Sequence, residues 1–289
     1  GLQVSIEVDG KLTSSYQGQS SRSLLPEIPD CVSRAVHWAQ VTQNPLQVES
    51  QPVDTPVLMT SEGFSPLFSM VVPSAMTGEK MVRKESFWSD KMGQEVLNPT
   101  LSIHDDGLLE GGMNSGSRDG EGVPRRRQNL IEHGRLSGML WSTRDAAQQV
   151  ADGRIDAASS TGSASSGGHQ SPPSTGCTEL FLTSSKQGMS MDALLQHMED
   201  GYVVNSVMGA HTANPSSGDF SVTTSSILKV EGGEIVGSLK QAGLSGNLAK
   251  AMNGPVVLGD EVRRQGSYSS GSMHLPNVLL MDGLRINPA

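Results

Sequence analysis

The stretch GYVVNSVMGAHTANPSSGDFSVTTSSILKVEGGEIVGSLKQAGLSGNL, residues 201–248, decides the fold. It reads as strands at 202–208, 220–230 and 234–239, with Glu231-Gly232-Gly233 turning the last two into a hairpin. Just upstream, Ser190 caps a helix predicted over Met191 to Asp200, which turns Leu194, Leu195 and Met198 inward and stops at Gly201. Downstream, 255–259 and 276–281 read as further strands. The C-terminal part of the chain is therefore strand-rich.

Toward the N-terminus the pattern is more mixed. Strands are predicted at 56–59, 99–104, 127–132, 135–141 and 179–183. A helix is predicted over 62–77, distorted at Pro73 where a backbone donor is missing, and a short one over 144–151, capped by Ser142 or Thr143. Residues 157–176 are almost wholly Ser, Gly, Ala, Thr and Pro, a linker composition. At the start, Leu2, Val4, Ile6 and Val8 alternate with polar residues. Asp9-Gly10 turns the chain into a return strand around Leu12 to Tyr16. Asp30 caps a helix with Val32, Ala35, Val36 and Ala39 on one face, ending before Pro45. The polar, proline-bearing stretch 43–55 reads as a boundary. One hairpin and one helix cannot bury a core, so what precedes the boundary reads as the tail of a domain.

Composition excludes several functions. The 289 residues carry 21 Lys and Arg against 30 Asp and Glu, a net charge of −9, and the only tight basic cluster is Arg125-Arg126-Arg127. An electrostatic nucleic-acid binder needs a broader basic face. No run approaches the 18 or so apolar residues that span a bilayer. No signal peptide is visible, and Cys31 and Cys177 cannot make a disulfide framework, so a reducing cytoplasm is the simplest setting.

Catalytic patterns fail in turn. The seven histidines are followed by Trp38, Asp105, Gly134, Gln170, Met198, Thr212 and Leu275. None is followed by Glu, so no His-Glu zinc helix of any length exists. Gly10-Lys11 lacks the earlier glycine of a phosphate loop, no GxGxxG follows a strand, and GxSxG is missing. Cys31 lies on an amphipathic helix and reads as core. Cys177 follows a polar loop, where a thiol can be exposed, and is a candidate thiol only. The acid pairs Asp105-Asp106 and Asp119 with Glu121 read as solvated charges or turn formers.

What the residues do not supply, a resemblance does. Its carriers are Pro56-Val57-Leu58-Met59, Thr77-Gly78-Glu79, Ser86 through Gly93, Leu101 through Asp106, Asp119 through Pro124 with Arg126-Arg127, and Thr161-Gly162. After these come Gly201 through Val204, Met208 through His211, Gly218-Asp219-Phe220-Ser221, Val230 through Ile235, and Ala242 through Leu248. In this order they resemble the TldE (PmbA) branch of the TldD/TldE metalloprotease family, over about residues 54–289. The resemblance implies an α+β fold. A strand-rich C-terminal domain with a mixed or antiparallel curved sheet and a few helices spans 54–289, preceded over 1–53 by the tail of an α/β N-terminal domain. It also makes 157–176 a Ser/Gly-rich loop within the C-terminal domain.

TldD-branch members carry His-Glu-x-x-x-His and TldE-branch members do not, which puts this chain on the TldE side. The resemblance implies a cytoplasmic, non-catalytic subunit of a heterodimeric zinc protease, helping to enclose unfolded peptides. It implies no cofactor in this chain, zinc in a TldD-like partner, and neither nucleic acid nor membrane as partner. The family is also described as modulators of DNA gyrase and linked to maturation of peptide antibiotics. Alternative readings are a non-enzymatic modulator module, or a stand-alone hydrolase with an unrecognised site at Cys177 or an acid pair. Residues expected at a substrate cavity, by resemblance, are Gly120, Glu121, Gly122, His211, Gly218, Asp219, Phe220, Ser221, Gly243, Gly246 and Asn247.

Overall fold

A computed structural model describes residues 1–288 apart from 9, 19, 23–27, 44, 47–51, 167 and 267–270. The chain opens with the antiparallel hairpin β1 (Leu2–Val8) and β2 (Lys11–Gln17), followed by α1 (Ile28–Val41). Asp9 of the expected turn lies outside the described residues, as does part of the expected boundary at 43–55. Gly10 takes φ 75°, the left-handed conformation that such a turn requires.

The short strands β3 (Val53–Asp54) and β4 (Val57–Met59) lead into α2 (Ser61–Ala75), which runs through both Pro66 and Pro73. Thr60 caps α2 by accepting from the Gly63 N–H, and α3 (Gly78–Val82) follows. Then come β5 (Leu101–Asp106), β6 (Arg127–Glu132), β7 (Arg135–Leu136) and α4 (Thr143–Ala151), the last capped by Ser142 as its sequence predicts. The expected strand over 135–141 stops at Leu136, because Ser137 and Gly138 turn back to the Leu130 carbonyl and Leu140 joins the end of α2. Within the Ser/Gly-rich stretch a small hairpin forms from β8 (Ala164–Ser165) and β9 (Ser174–Thr175). It is tied to the body by the Ala164 N–H donating to Asp119 and by Thr161 bonding both ways with the Trp141 backbone.

The remainder is β10 (Glu179–Ser184), α5 (Met191–Met198), β11 (Gly201–Met208), β12 (Asp219–Glu231), β13 (Glu234–Leu239), β14 (Ala242–Asn247), α6 (Leu248–Asn253), β15 (Val256–Gly266), β16 (Ser272–Leu280) and β17 (Leu284–Pro288). Helix α5 ends at Met198, two residues before the predicted last residue, Asp200. Glu199, not glycine, adopts φ 61°, held by its N–H on the Leu195 carbonyl, and Gly201 opens β11.

Among the described residues thirteen strands join in one mixed sheet, in the order β3-β17-β14-β12-β11-β4-β16-β10-β5-β6-β7, with β13 beside β12 and β15 beside β16. The pairs β4–β11 and β10–β16 are parallel, and the other pairs are antiparallel. The central strands are apolar on both faces, and alternate residues divide between two cores. Val57, Met59, Tyr202, Val204, Val278 and Leu280 join the larger core with Phe64, Leu67, Phe68 and Val71 of α2. Leu58, Val203 and Leu279 point the other way, to Trp38 of α1 and Leu194, Leu195 and Met198 of α5. The sheet is thus covered by α2 on one face and by α1 and α5 on the other. Among the described residues, no helix is long and apolar enough to cross a membrane.

Candidate functional site

Where β5, β10 and β16 run side by side, register places His104, Phe181 and His274 in one row. Their rings stack nearly parallel, with centroids 4.8 Å apart for His104–Phe181 and 4.0 Å for Phe181–His274. Two residues earlier on β10, and so on the same face, Glu179 is fully buried. Its Oε2 lies 2.9 Å from His274 Nε2, and its Oε1 accepts from the Asn114 N–H at 2.7 Å. Burial works to raise the Glu179 pKa. The hydrogen bonds from His274 and Asn114, with the positive charges of His274 and Arg264, outweigh burial and hold it below the usual carboxylate range.

The neighbouring Asp105 behaves oppositely. Its Oδ1 accepts from the N–H groups of Thr178 and Glu179 at 2.7 and 2.9 Å, but burial dominates and pushes its pKa up to about 6. For His104, burial chiefly, with the nearby Arg127 charge, lowers the pKa to about 4, so its ring is neutral at pH 7.

This buried centre supports the floor of a groove of about 970 Å³. Asn114, whose backbone holds Glu179, donates through Nδ2 to Ser272 Oγ at 3.0 Å, and both residues line the groove. Tyr16 of β2, Glu62 of α2 and Asn205 of β11 line the same groove. Most of the lining residues carry hydroxyl or amide groups, a surface that can exchange hydrogen bonds with an extended backbone, and Tyr16, Pro66, Met113 and Val207 add apolar area beside them.

The residues singled out by sequence separate into two places. Gly120, Glu121 and Gly122 lie in the β5–β6 loop. There Gly120 packs so closely on residues 165–166 that an added Cβ would sit 2.8 Å from the Ser166 nitrogen, and Gly122 takes φ 81°. Glu121 accepts from the N–H groups of Thr143 and Arg144 at 2.5 and 3.0 Å, so it caps α4. The others cluster at the β12–β14 end, with four strands between β12 and β5. His211 is exposed in a single 3-10 turn, Gly218 takes φ 82°, and Ser221 is exposed on β12 while Phe220 is in the core. Asp219 accepts from Asn247 Nδ2 at 2.8 Å and from Ser217 Oγ at 2.6 Å, bonds that lower its pKa, and Asn247 caps α6. Gly243 and Gly246 pair on both sides, with Thr223 and Phe220 of β12 and with Asn287 and Leu284 of β17. None of these residues lines the groove.

Cys177 is buried at 5% exposure, beneath Gly271, which corrects the expectation of an accessible thiol there. Asp119 is also buried and closes a turn, accepting from Glu121, Val123 and Ala164 N–H groups. Sequence reasoning missed Glu179, His274 and Asn114. The available signal was an acid, Glu179, heading a strand whose next residue is apolar and buried.

Residues 52–286 match the family model for the PmbA/TldA metallopeptidase C-terminal domain. The metalloprotease PmbA of Escherichia coli is 29% identical over 223 residues, which is 77% of this chain and 45% of that protein. A metalloprotease TldD homolog of Haemophilus influenzae is 25% identical over 268 residues, 90% of this chain and 54% of that protein. The crystal structure of TldE from Thermococcus kodakarensis superposes with a TM-score of 0.85 at 23% identity, covering 97% of this chain and 61% of that one, which shows the shared fold. The chain spans 45 to 60% of the length of the relatives first matched. With the model covering most of the chain and the architecture agreeing, this chain belongs to the PmbA/TldD metallopeptidase family.

Proposed function

We propose that this chain is a TldE-type, non-catalytic part of a heterodimeric zinc protease, in which a TldD-like partner holds the metal and both subunits enclose an unfolded peptide. The observation that carries the reading is the histidine pattern. In a metallopeptidase family, none of the seven histidines here is followed by Glu. Zinc catalysis needs at least three converging N, O or S ligands. Among the described residues no three His, Cys, Asp or Glu side chains converge, and the best-placed imidazoles, His104 and His274, face each other through the Phe181 ring. These residues do not fit a zinc centre. The hydroxyl- and amide-rich groove suits an enclosing wall that meets a peptide through its main chain. A cytoplasmic setting goes with this reading, since two cysteines, Cys31 and Cys177, are too few for a disulfide framework.

The test is native mass spectrometry of the chain alone and mixed with a zinc-bearing TldD-like protein, with peptide cleavage measured on the same samples. A metal-free chain that forms a one-to-one complex with one zinc, and cleaves only as that complex, supports the reading. Zinc on this chain alone, or chelator-resistant cleavage by it, refutes it. Binding without any gain in cleavage favours instead a modulator role, in keeping with the Thermotoga maritima relative described as a candidate DNA gyrase modulator.

A further inference from the structure

A second cavity, of about 540 Å³, shares no lining residue with the groove. It lies under residues 185–189, an arch fixed at both ends. The Ser185 N–H donates to the Thr100 carbonyl at 2.8 Å, and Met189 bonds both ways with β15, to the Leu258 carbonyl and from the Asp260 N–H. Gly188 comes so close to β15 that an added Cβ would stand 2.5 Å from the Gly259 oxygen. On the far side, Asn98 pins the α6–β15 connection through Met252 and Gly254 carbonyls. The cavity is therefore held open by backbone bonds, before any ligand arrives.

The larger part of its lining is apolar, from Met189, Pro255, Val256, Val257, Leu258 and Met281, beside the polar Asn98, Ser184, Gln187 and Asn253. Met189, Val257 and Met281 lean on the smaller core, and the methionines can adapt to the shape of an occupant. Its ionisable lining is Lys186 and His197, and no acid lines it, although acids outnumber bases 30 to 21 in the chain. Neither Lys186 nor His197 takes part in an ion pair among the described residues.

We infer that this cavity binds a small amphipathic carboxylate, its apolar body against Met189, Val257 and Met281 and its carboxylate at Lys186. The volume falls within the roughly 300–1,000 Å³ of small-molecule sites. Charge complementarity selects an anion over a neutral lipid, and the apolar interior beside the ammonium selects against inorganic anions, which gain nothing from that surface.

The test is calorimetric titration of the whole chain with decanoate, with decanol as the uncharged control. Expected is saturable one-to-one binding of decanoate, weaker binding of decanol, and a Kd raised about fivefold by Lys186→Ala, a change that leaves the apolar side chains of the lining in place. Val257→Trp, which fills the cavity, abolishes binding. Because that variant can disturb packing, methionine methyl NMR of the unaltered chain gives an independent reading. Shifts at Met189 and Met281 support the site, and shifts at Met113 of the groove in their place overturn it. Absence of saturable binding, equal affinity for decanol, or indifference to Lys186→Ala also overturns it.

Discussion

Asp105 and Asp219 each accept two short hydrogen bonds, yet they titrate in opposite directions. At the β12–β14 end Asp219 is exposed, and its bonds from Ser217 and Asn247 outweigh the small desolvation there, so its pKa falls. On β5, Asp105 is buried at 1% exposure, and two backbone N–H bonds do not repay the lost hydration, so its pKa rises to about 6. Glu179 shows what a third arrangement does. It is as deeply buried, but an imidazole on one oxygen and an N–H on the other bring its pKa down. Hydrogen bonds at the surface make caps and turns, while the same bonds in the interior decide how rigidly a floor is held. Through Asn114, the floor in question is that of the groove.

The largest expected effect comes from cutting the interior network. Glu179→Ala leaves the Asn114 N–H and the His274 ring without their shared partner and opens a void beside them. A loss of about 3–5 kcal/mol is expected in urea unfolding. A loss no greater than that of a surface cap would break the contrast between the two regions.

Next is a pH effect with a definite sign. The folded Asp105 carboxyl binds its proton more tightly than an unfolded one, whose pKa is near 3.8. Above about pH 6 the folded state bears the cost of a buried charge, and as pH falls from 6 toward 4 that cost is relieved. Asp105→Asn keeps an acceptor for Thr178 and Glu179 but carries no charge. Its stability relative to the native chain is therefore expected to be highest at pH 7.5 and to shrink by about 2 kcal/mol by pH 4. Matched unfolding curves at pH 7.5, 6, 5 and 4 check this, and a flat difference would show that Asp105 is not desolvated as its burial implies.

Legibility in the sequence followed the same division. Strand β12, predicted at 220–230, spans Asp219–Glu231, because its run of β-branched residues carries the signal locally. Strand β14 carries no such signal, since Ala242, Gly243, Ser245 and Gly246 have little strand preference of their own. They are extended only because β12 and β17 pair with them on either side, and at Gly246 an added Cβ would lie 2.6 Å from the Gly283 oxygen. The caps by Ser142 and Ser190 were legible because a cap acts within three residues. The interior network was not, because Glu179 meets Asn114 and His274 at 65 and 95 residues' separation. The basic cluster also misleads when read alone. Arg125 and Arg126 are spent on Thr178 and on the carbonyls of residues 160–162, where they fasten the Ser/Gly-rich loop.

Surface substitutions sharpen the lower end of the scale. Asn247→Ala removes the α6 cap and the bonds to Ser217 and Asp219 together, and about 1 kcal/mol is expected. Glu121→Gln is expected to cost less, about 0.5 kcal/mol. The amide oxygen can still accept from one of the two N–H groups of Thr143 and Arg144, while Ser142 goes on serving Asp145. What is lost is the negative charge at the positive end of α4, and that interaction is screened by salt. The difference between Glu121→Gln and the native chain should therefore shrink from 20 mM to 1 M sodium chloride in thermal unfolding, whereas that of Glu179→Ala should hardly move. If both shrank alike, Glu179 would be reached by solvent ions, and the distinction between an interior floor and a surface cap would fail.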